Sequence, residues 1–381
     1  MIKHPDLIIH EQTPFNAEPP LKLLRQSFIT PKELFYVRNH GSIPKVDLAE
    51  YRLSITGSVS KQLSLSLDEI RKKFPRHTVM ATIQCAGNRR DGLIQVKPIP
   101  GEEPWQAQAI GNAIWGGVPL REVLLAAGIE ADTKHAAFSG LDEVEKEGKT
   151  FGFGGSIPIE KAMSPEVLLA YEMNGEPLTP VHGFPLRVVV PGYLGARSVK
   201  WLSSITLQES PSSNYFQQHA YKLFTPEVRA ETADWTKGQM LGELFVNSAI
   251  CNPLEGEKIL TNPILVKGYA ICASQQRFAI ASGGAQSAIA PSSHSIERVE
   301  LSNDGGTTWV QAELLDSPSP WAWRFWQSQL ELNKGCSQII VRAWDCAGNS
   351  QPGDTRTIWN FKGYMNNSWH RVEVKNAIAL A

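Results

Sequence analysis

No apolar run in this chain approaches the roughly 18 to 20 residues that span a bilayer, so no membrane passage is expected. The opening residues, MIKHPDLIIHEQTPF, lack a continuous apolar stretch with a small-residue cleavage site, so they do not read as a secretory signal. A twin-arginine signal is missing, and the final Ala-Leu-Ala is not the peroxisomal Ser-Lys-Leu. The expected compartment is the cytoplasm. An excess of one charge is missing too: 37 Lys and Arg stand against 38 Asp and Glu, for a net charge of -1. No global field draws the protein to nucleic acid or to an anionic membrane, so any cationic site is local. Cysteine is sparse. The five cysteines (Cys85, Cys251, Cys272, Cys336 and Cys346) have no C-x-x-C spacing, which argues against a disulfide framework and a zinc ribbon. No P-loop, no H-E-x-x-H and no internal repeat occurs. Gly152-Phe-Gly-Gly155 is too short for a dinucleotide loop and lacks its strand–helix context.

What is present is enough apolar chain for a real core. With 381 residues, of which 42% are hydrophobic, two domains are expected. The pattern over residues 1–238 mixes short strands and short helices without a βαβ rhythm, which predicts an α+β domain. Residues 1–30, rich in proline, read as an irregular strap over its surface. Phe35–His40, Tyr51–Gly57, Thr78–Ile83, Ala136–Asp142, Leu186–Val190 and Val199–Leu202 read as strands. Val167–Met173 is apolar enough to be buried. Ser66–Phe74 reads as a helix with a capping box, Ser66 at the N-cap and Glu69 three residues on. Val118–Gly128 reads as a helix opened near Pro119 and closed by Gly128, and Ile159–Met163 as one helical turn.

Over residues 239–381 the character changes. Met240–Leu260 reads as linker and first strand. Strand-like runs follow at Pro263–Tyr269, Ile296–Ser302, Thr308–Leu314, Ala322–Leu330 and Gln338–Trp344, with Asn303-Asp-Gly-Gly306 as a hairpin turn. This predicts an all-β sandwich of immunoglobulin type. The Gly/Ser-rich Ser282–Ser295 reads as a flexible loop. The tryptophans of Trp321-Ala-Trp-Arg-Phe-Trp326 suit a β core or an interface.

The chemistry concentrates in Ile83-Gln-Cys-Ala-Gly-Asn-Arg-Arg-Asp-Gly92. A cysteine beside Arg89 and Arg90 is expected to ionise easily, since nearby cations favour the thiolate. A thiolate is a nucleophile or a soft metal ligand, and a buried structural cysteine is the third reading. The residues alone leave all three open. A second copy, Cys346-Ala-Gly-Asn349, lacks the paired arginines and reads as a turn between sandwich strands, so the tetrapeptide by itself carries little information. Three further groups set cations beside small residues: Arg38-Asn-His40, His182-Gly-Phe-Pro-Leu-Arg187 and Gly195-Ala-Arg-Ser-Val-Lys200. Each alone fits an ordinary surface cation. Together in one domain they suit a phosphate or another oxyanion.

The runs F-Y-V-R-N-H, C-A-G-N-R-R, L-L-A-Y-E-M-N-G, H-G-F-P-L-R, V-V-V-P-G, G-A-R-S-V-K-W-L, W-A-W-R and S-W-H-R-V, in this order from about residue 30 to about 375, resemble the sulfite oxidase family of molybdenum enzymes, in its haem-free form. The resemblance implies a molybdopterin-binding domain, one molybdenum on one pterin dithiolene, and a C-terminal immunoglobulin-like domain through which the chain forms a homodimer. It makes Cys85 the metal ligand. It places Tyr36, Val37, Arg38, Asn39, His40, Asp142, His182, Arg187, Ser198, Val199 and Lys200 at the cofactor, with His182, Arg187 and Lys200 on the pterin phosphate and the backbone of Ser198 and Val199 assisting. Arg38 and Arg90 match arginines of an anion pocket, Tyr221 the active-site tyrosine, and Trp105 a tryptophan of the pocket wall.

One departure is Lys362, where the family's sulfite pocket has an arginine. Lysine keeps the charge and loses the planar fork. The related nitrate reductases have an uncharged residue there, so a cation favours a sulfite-type substrate. The implied activity is oxidation of sulfite to sulfate by oxo transfer, with electrons passed to oxygen or to a separate cytochrome, and no haem in this chain. The alternatives are a molybdenum oxidoreductase for another small oxyanion or S-oxide, in the manner of nitrate reductase, and a metal-free scaffold of the same fold.

Overall fold

The structure, a computed structural model, describes residues 3–146, 148–273, 295–332 and 338–377. The chain divides into two compact units: Met1–Glu243 with Arg356–Asn366, and Leu244–Thr355 with Asn367–Ala381. Sequence reasoning puts the boundary at 238/239 and runs the second domain unbroken to the end. The segment Arg356–Asn366 instead belongs with the first unit, because its backbone docks on the Cys85 turn. Met365 N–H donates to Ala86 O at 2.8 Å, and Asn366 Nδ2 donates to Arg89 O at 2.7 Å.

The first unit is α+β. One five-stranded sheet runs in the order Gly154–Pro158, His135–Gly140, Leu202–Gln208, Leu53–Gly57, Leu63–Leu65, and only the Leu202–Gln208 and Leu53–Gly57 pair is parallel. A second sheet runs Glu176–Pro177, Leu168–Met173, Ile110–Pro119, His77–Gln84, with Arg187–Val189 also paired to Leu168–Met173. Leu53, Ile55, Val118, Leu169, Val188, Ile205 and their neighbours close one core drawn from both sheets. The helix Leu67–Lys73 starts at Ser66 with both bonds of the predicted capping box. Leu120–Ala127 begins two residues later than expected, because the strand Ile110–Pro119 runs through Pro119.

Three expectations fail locally. Residues 1–30 are not an irregular strap: Ile8–Gln12 and Phe15–Glu18 form an antiparallel hairpin, and Leu21–Leu24 forms a helical turn. Phe35–His40 is not a strand, since only Val37 bridges, to Ala17. Val199–Leu202 is not one either. Trp201 sits at φ 49, in the left-handed region, so extended chain begins only at Leu202.

The second unit is all-β. A four-stranded sheet runs Asn247–Asn252, Ile264–Ile271, Arg324–Leu330, Glu313–Leu314. A five-stranded sheet runs Glu257–Ile259, His370–Asn376, Gln338–Asp345, Ile296–Ser302, Val310–Gln311. Inward residues of both, among them Val266, Trp326, Val299, Val341 and Val372, share one core. The expected Thr308–Leu314 strand is two short ones split by Ala312. The Asn303–Gly306 turn is pinned by Asp304, whose carboxylate accepts from Thr307 and Thr308 N–H, with Gly305 and Gly306 at positive φ. The expected flexible loop at Ser282–Ser295 lies outside the described residues, apart from Ser295, as does Cys336. The other four cysteines are free. Among the described residues no helix is long and apolar enough to cross a membrane.

Candidate active site

The strand His77–Gln84 ends one residue before Cys85, whose N–H donates to Ala109 O at 2.9 Å. The chain then turns tightly on Cys85 itself. Asn88 N–H donates to Cys85 O, and Gly87 N–H points at Cys85 Sγ at 3.4 Å. Gly87 is required here: a Cβ would meet the Arg90 guanidinium at 2.6 Å. Arg89 takes the left-handed conformation, φ 65, and heads the short helix Arg90–Val96.

Cys85 opens onto a cavity within the first unit. Of the expected residues, Tyr36, Arg38, Asn39, His40, Asp142, His182, Arg187, Ser198, Val199, Lys200 and Tyr221 all line it with Cys85. Val37 does not. Its N–H and C=O are both spent on Ala17. Arg90 and Lys362 are also absent from this wall.

One end of the cavity is rich in buried cations. Arg187 gives its guanidinium to the carbonyls of His182 and Ser198, at 3.1 and 3.0 Å, and burial lowers it to about 10. Lys200 donates to Asn39 Oδ1 and to Val181 O. Burial and the Arg187 charge push it well below the usual lysine value. Among the described residues no carboxylate lies within ion-pair distance of either. The Asp142 charge reaches Lys200 without pairing with it, so the like charges of Arg187 and Lys200 remain costly to bury, and a bound phosphate would relieve them. His182 is held well below its ordinary value by burial, then by Lys3, Lys200 and Arg187. The Ser198 amide is engaged with Gly195 O, and its hydroxyl accepts from Val190 N–H.

At the other end stand the thiol and the phenol. Arg38 Nη2 lies 3.2 Å from His40 Nδ1, and His40 Nε2 lies 2.8 Å from Tyr221 Oη. Arginine can only donate, so Nδ1 accepts and Nε2 carries the ring proton. His40 is therefore neutral and donates to Tyr221. This agrees with burial and Arg38 holding its pKa well below the ordinary value. Burial raises the Tyr221 phenol, which keeps its proton available for another acceptor. Tyr221 stacks on Tyr364 at 5.2 Å. Burial also pushes the Cys85 thiol up, against the pull of Arg90 and Arg38. The expectation of easy ionisation gives way here to burial, whose effect on the thiol outweighs that of the two arginines.

The three expected anion-binding cations each meet a carboxylate. Arg38 Nη1 pairs with Glu103 at 3.0 Å. This partner and the nearby phenols and thiol outweigh burial and raise the Arg38 pKa. Arg90 Nη2 lies 3.3 Å from Glu102, and Lys362 pairs with the same carboxylate. Arg90 also donates to the carbonyls of Lys362, Gly363 and Glu103. Trp105 is fully buried, and among the described residues its indole N–H has no partner.

Sequence reasoning missed Glu102, Glu103, Lys3 and Phe153. Lys3 Nζ reaches His182 Nε2 at 3.1 Å and two carbonyls, and burial lowers it to about 7. Phe153, inside the discarded glycine run, stacks on His40 at 5.1 Å.

Among the described residues no three His, Cys, Asp or Glu side chains converge as a metal cage. A metal here would take one protein thiolate and owe its other ligands to a cofactor. Cys85 at one end and counter-ion-poor cations at the other fit a metal-bearing pterin phosphate.

The comparisons agree. Residues 40–216 match the oxidoreductase molybdopterin binding domain, and residues 239–377 the Mo-co oxidoreductase dimerisation domain. The chain is 42% identical to sulfite oxidase of Gallus gallus over 379 residues, covering 97% of this chain and 78% of that one. It is 39% identical to sulfite oxidase of Arabidopsis thaliana over 391 residues, covering 97% and 94%. The mammalian relatives are longer, and the chain spans 66% of their length. The solved sulfane dehydrogenase SoxCD of Paracoccus pantotrophus shares the fold, with a TM-score of 0.75, 24% identity, and coverage of 97% of this chain and 88% of that one. The chain belongs to the sulfite oxidase family: a molybdopterin-binding oxidoreductase domain followed by an all-β dimerisation domain.

Proposed function

We propose that the protein oxidises sulfite to sulfate at a molybdenum centre held by Cys85 and one pterin dithiolene. The observation that carries this is the two-ended cavity, with a lone thiol beside Tyr221 and Arg38 at one end and, at the other, the buried Arg187 and Lys200, which among the described residues have no directly paired carboxylate. When bound, the cofactor supplies oxo transfer and accepts two electrons, so that sulfite and water give sulfate, two electrons and two protons.

The chain's own residues do the rest. Arg187 and Lys200 hold the cofactor phosphate, assisted by His182 and the backbone of Val199, while Ser198, whose amide is spent on Gly195 O, positions Arg187 through its carbonyl. Tyr36, Asn39, His40 and Asp142 fix the pterin, and Val37 serves by anchoring that segment to Ala17. Arg38, Arg90 and Lys362 draw in and orient the sulfite dianion, a positioning and charge contribution. Tyr221 donates a hydrogen bond to the anion, its proton directed outward because His40 already donates to its oxygen. The electrons pass to oxygen or to a separate cytochrome. The second unit is an immunoglobulin-like sandwich through which two copies pair, and the protein works in the cytoplasm.

A turnover screen with sulfite, nitrate and sulfoxides, on protein made in a host that supplies the cofactor, tests the reading. Sulfite as the preferred substrate is expected. Turnover of nitrate or a sulfoxide without sulfite would replace it, and protein devoid of molybdenum would mark a scaffold.

A further inference from the structure

The anion site proposed above holds three cations and two carboxylates, and the two carboxylates are not equivalent. Glu103 is fixed: its Oε1 takes Arg38 and also a hydrogen bond from the buried Asn16 Nδ2 at 3.0 Å. Glu102 has no such anchor. The described bonds of its carboxylate go to Arg90 and Lys362 alone. It follows Gly101, which has φ +79 and open space where a Cβ would stand.

Its two partners differ as well. Arg90 is immobile, pressed between Gly87 and Gly363, where added Cβ atoms would come within 2.6 Å of it, and bonded to three carbonyls. Lys362 is more open, at 22% side-chain exposure. A carboxylate placed between a fixed guanidinium and a movable ammonium occupies the position a small dianion would seek. Its charge also reaches the phenols, where it helps to raise Tyr364 and Tyr221.

We propose that Glu102 is an internal competitor for the anion site: it neutralises Arg90 and Lys362 when no anion is bound and must yield Lys362 when sulfite enters. It then returns as sulfate leaves. Glu102 is thus a specificity-determining residue that lowers the affinity of the pocket for substrate and product alike. This rests on the reading of the site as one for sulfite. It also gives Lys362 a reason: an ammonium is a point charge that one carboxylate can satisfy and release, whereas a guanidinium fork would hold it bidentately.

The test uses the molybdenum-loaded enzyme, with E102Q, K362Q and the double variant. E102Q is expected to lower the KM for sulfite and the inhibition constant for sulfate together, by about three- to tenfold, the scale of one partly exposed charge pair. In the K362Q background the E102Q effect shrinks to half or less. Unchanged or raised constants in E102Q overturn the proposal, since Glu102 would then only hold the cations in place. A full effect in the K362Q background overturns the part given to Lys362. The rise in Tm caused by added sulfate gives a reading independent of turnover: a larger rise in E102Q than in wild type supports the competitor, and an equal or smaller one refutes it. Wild-type enzyme that does not turn over sulfite sinks the substrate reading separately, and the sulfate measurement still reports on Glu102.

Discussion

The tetrapeptide Cys-Ala-Gly-Asn occurs twice, and the two copies do different work. At 85–88 the turn is held by its own cysteine, with the sulfur facing an amide N–H and buried beside two arginines. At 346–349 the turn is held by the residue before it. Asp345 accepts from the N–H groups of Ala347 and Asn349 and from the Asn349 side chain, and Cys346 is left exposed. The fifth residue after each cysteine ties the turn to distant backbone. Arg90 binds the carbonyls of Lys362, Gly363 and Glu103. Gln351 binds those of Asn367 and Ser368 and accepts from Ala343 N–H and Ser248 Oγ. A neutral amide ends its requirements there. A buried guanidinium needs counter-charge, and it brings Glu102, then Lys362, into one cluster. One charged residue in the same local design thus separates a structural loop from the proposed anion site.

The sharpest way to break this contrast is to remove each sulfur. Cys85→Ser is expected to lower kcat/KM for sulfite by at least ~10³-fold, about 4 kcal/mol of transition-state stabilisation, and Cys346→Ser to leave it within twofold (~0.4 kcal/mol). Steady-state kinetics on cofactor-loaded protein decide it, and equal losses would erase the distinction. Next come the two anchors. Arg90→Met leaves Glu102 to Lys362 alone and strands three carbonyls, and should cost about 3 to 5 kcal/mol in denaturant unfolding. Gln351→Leu should cost about 1 to 3 kcal/mol and leave the KM for sulfite alone. Lys362→Met should raise that KM by about fivefold, the loss of one half-exposed charge worth ~1 kcal/mol; an unmoved KM would place Lys362 outside the pocket. The smallest effect is Asp345→Asn, which weakens the second turn by about 1 kcal/mol with sulfite kinetics unchanged.

Local grammar was legible from residues alone. Ser66 with Glu69 and Asn303 to Gly306 rest on contacts a few residues apart, and the strand into Cys85 shows in its own apolar run although it pairs with Ile110–Pro119. The cations of the cavity were legible because each sits in a distinctive run, whereas Tyr36, Asp142 and Tyr221 were reached only through the family resemblance. What escaped depends on distant pairings. Lys3 meets His182, and Glu102 meets Lys362, across 179 and 260 residues, with no periodicity to announce either. Trp201 was lost to its left-handed backbone, which an apolar Val-Lys-Trp-Leu run conceals. The return of Arg356–Asn366 to the first unit was lost because that segment pairs through single backbone bonds and contributes no strand. The ease of Cys85 ionisation was misjudged because the sequence displays the arginines and hides the desolvation.

The central claim is that this cavity oxidises sulfite. The direct measurement is the stoichiometry of ferricyanide reduced to sulfate formed when the molybdenum-loaded enzyme is given sulfite without oxygen. Two ferricyanides per sulfate, with no sulfate formed by Cys85→Ser, is the predicted result. Sulfate formed at the wild-type rate by Cys85→Ser, or none formed by the wild type, would contradict it.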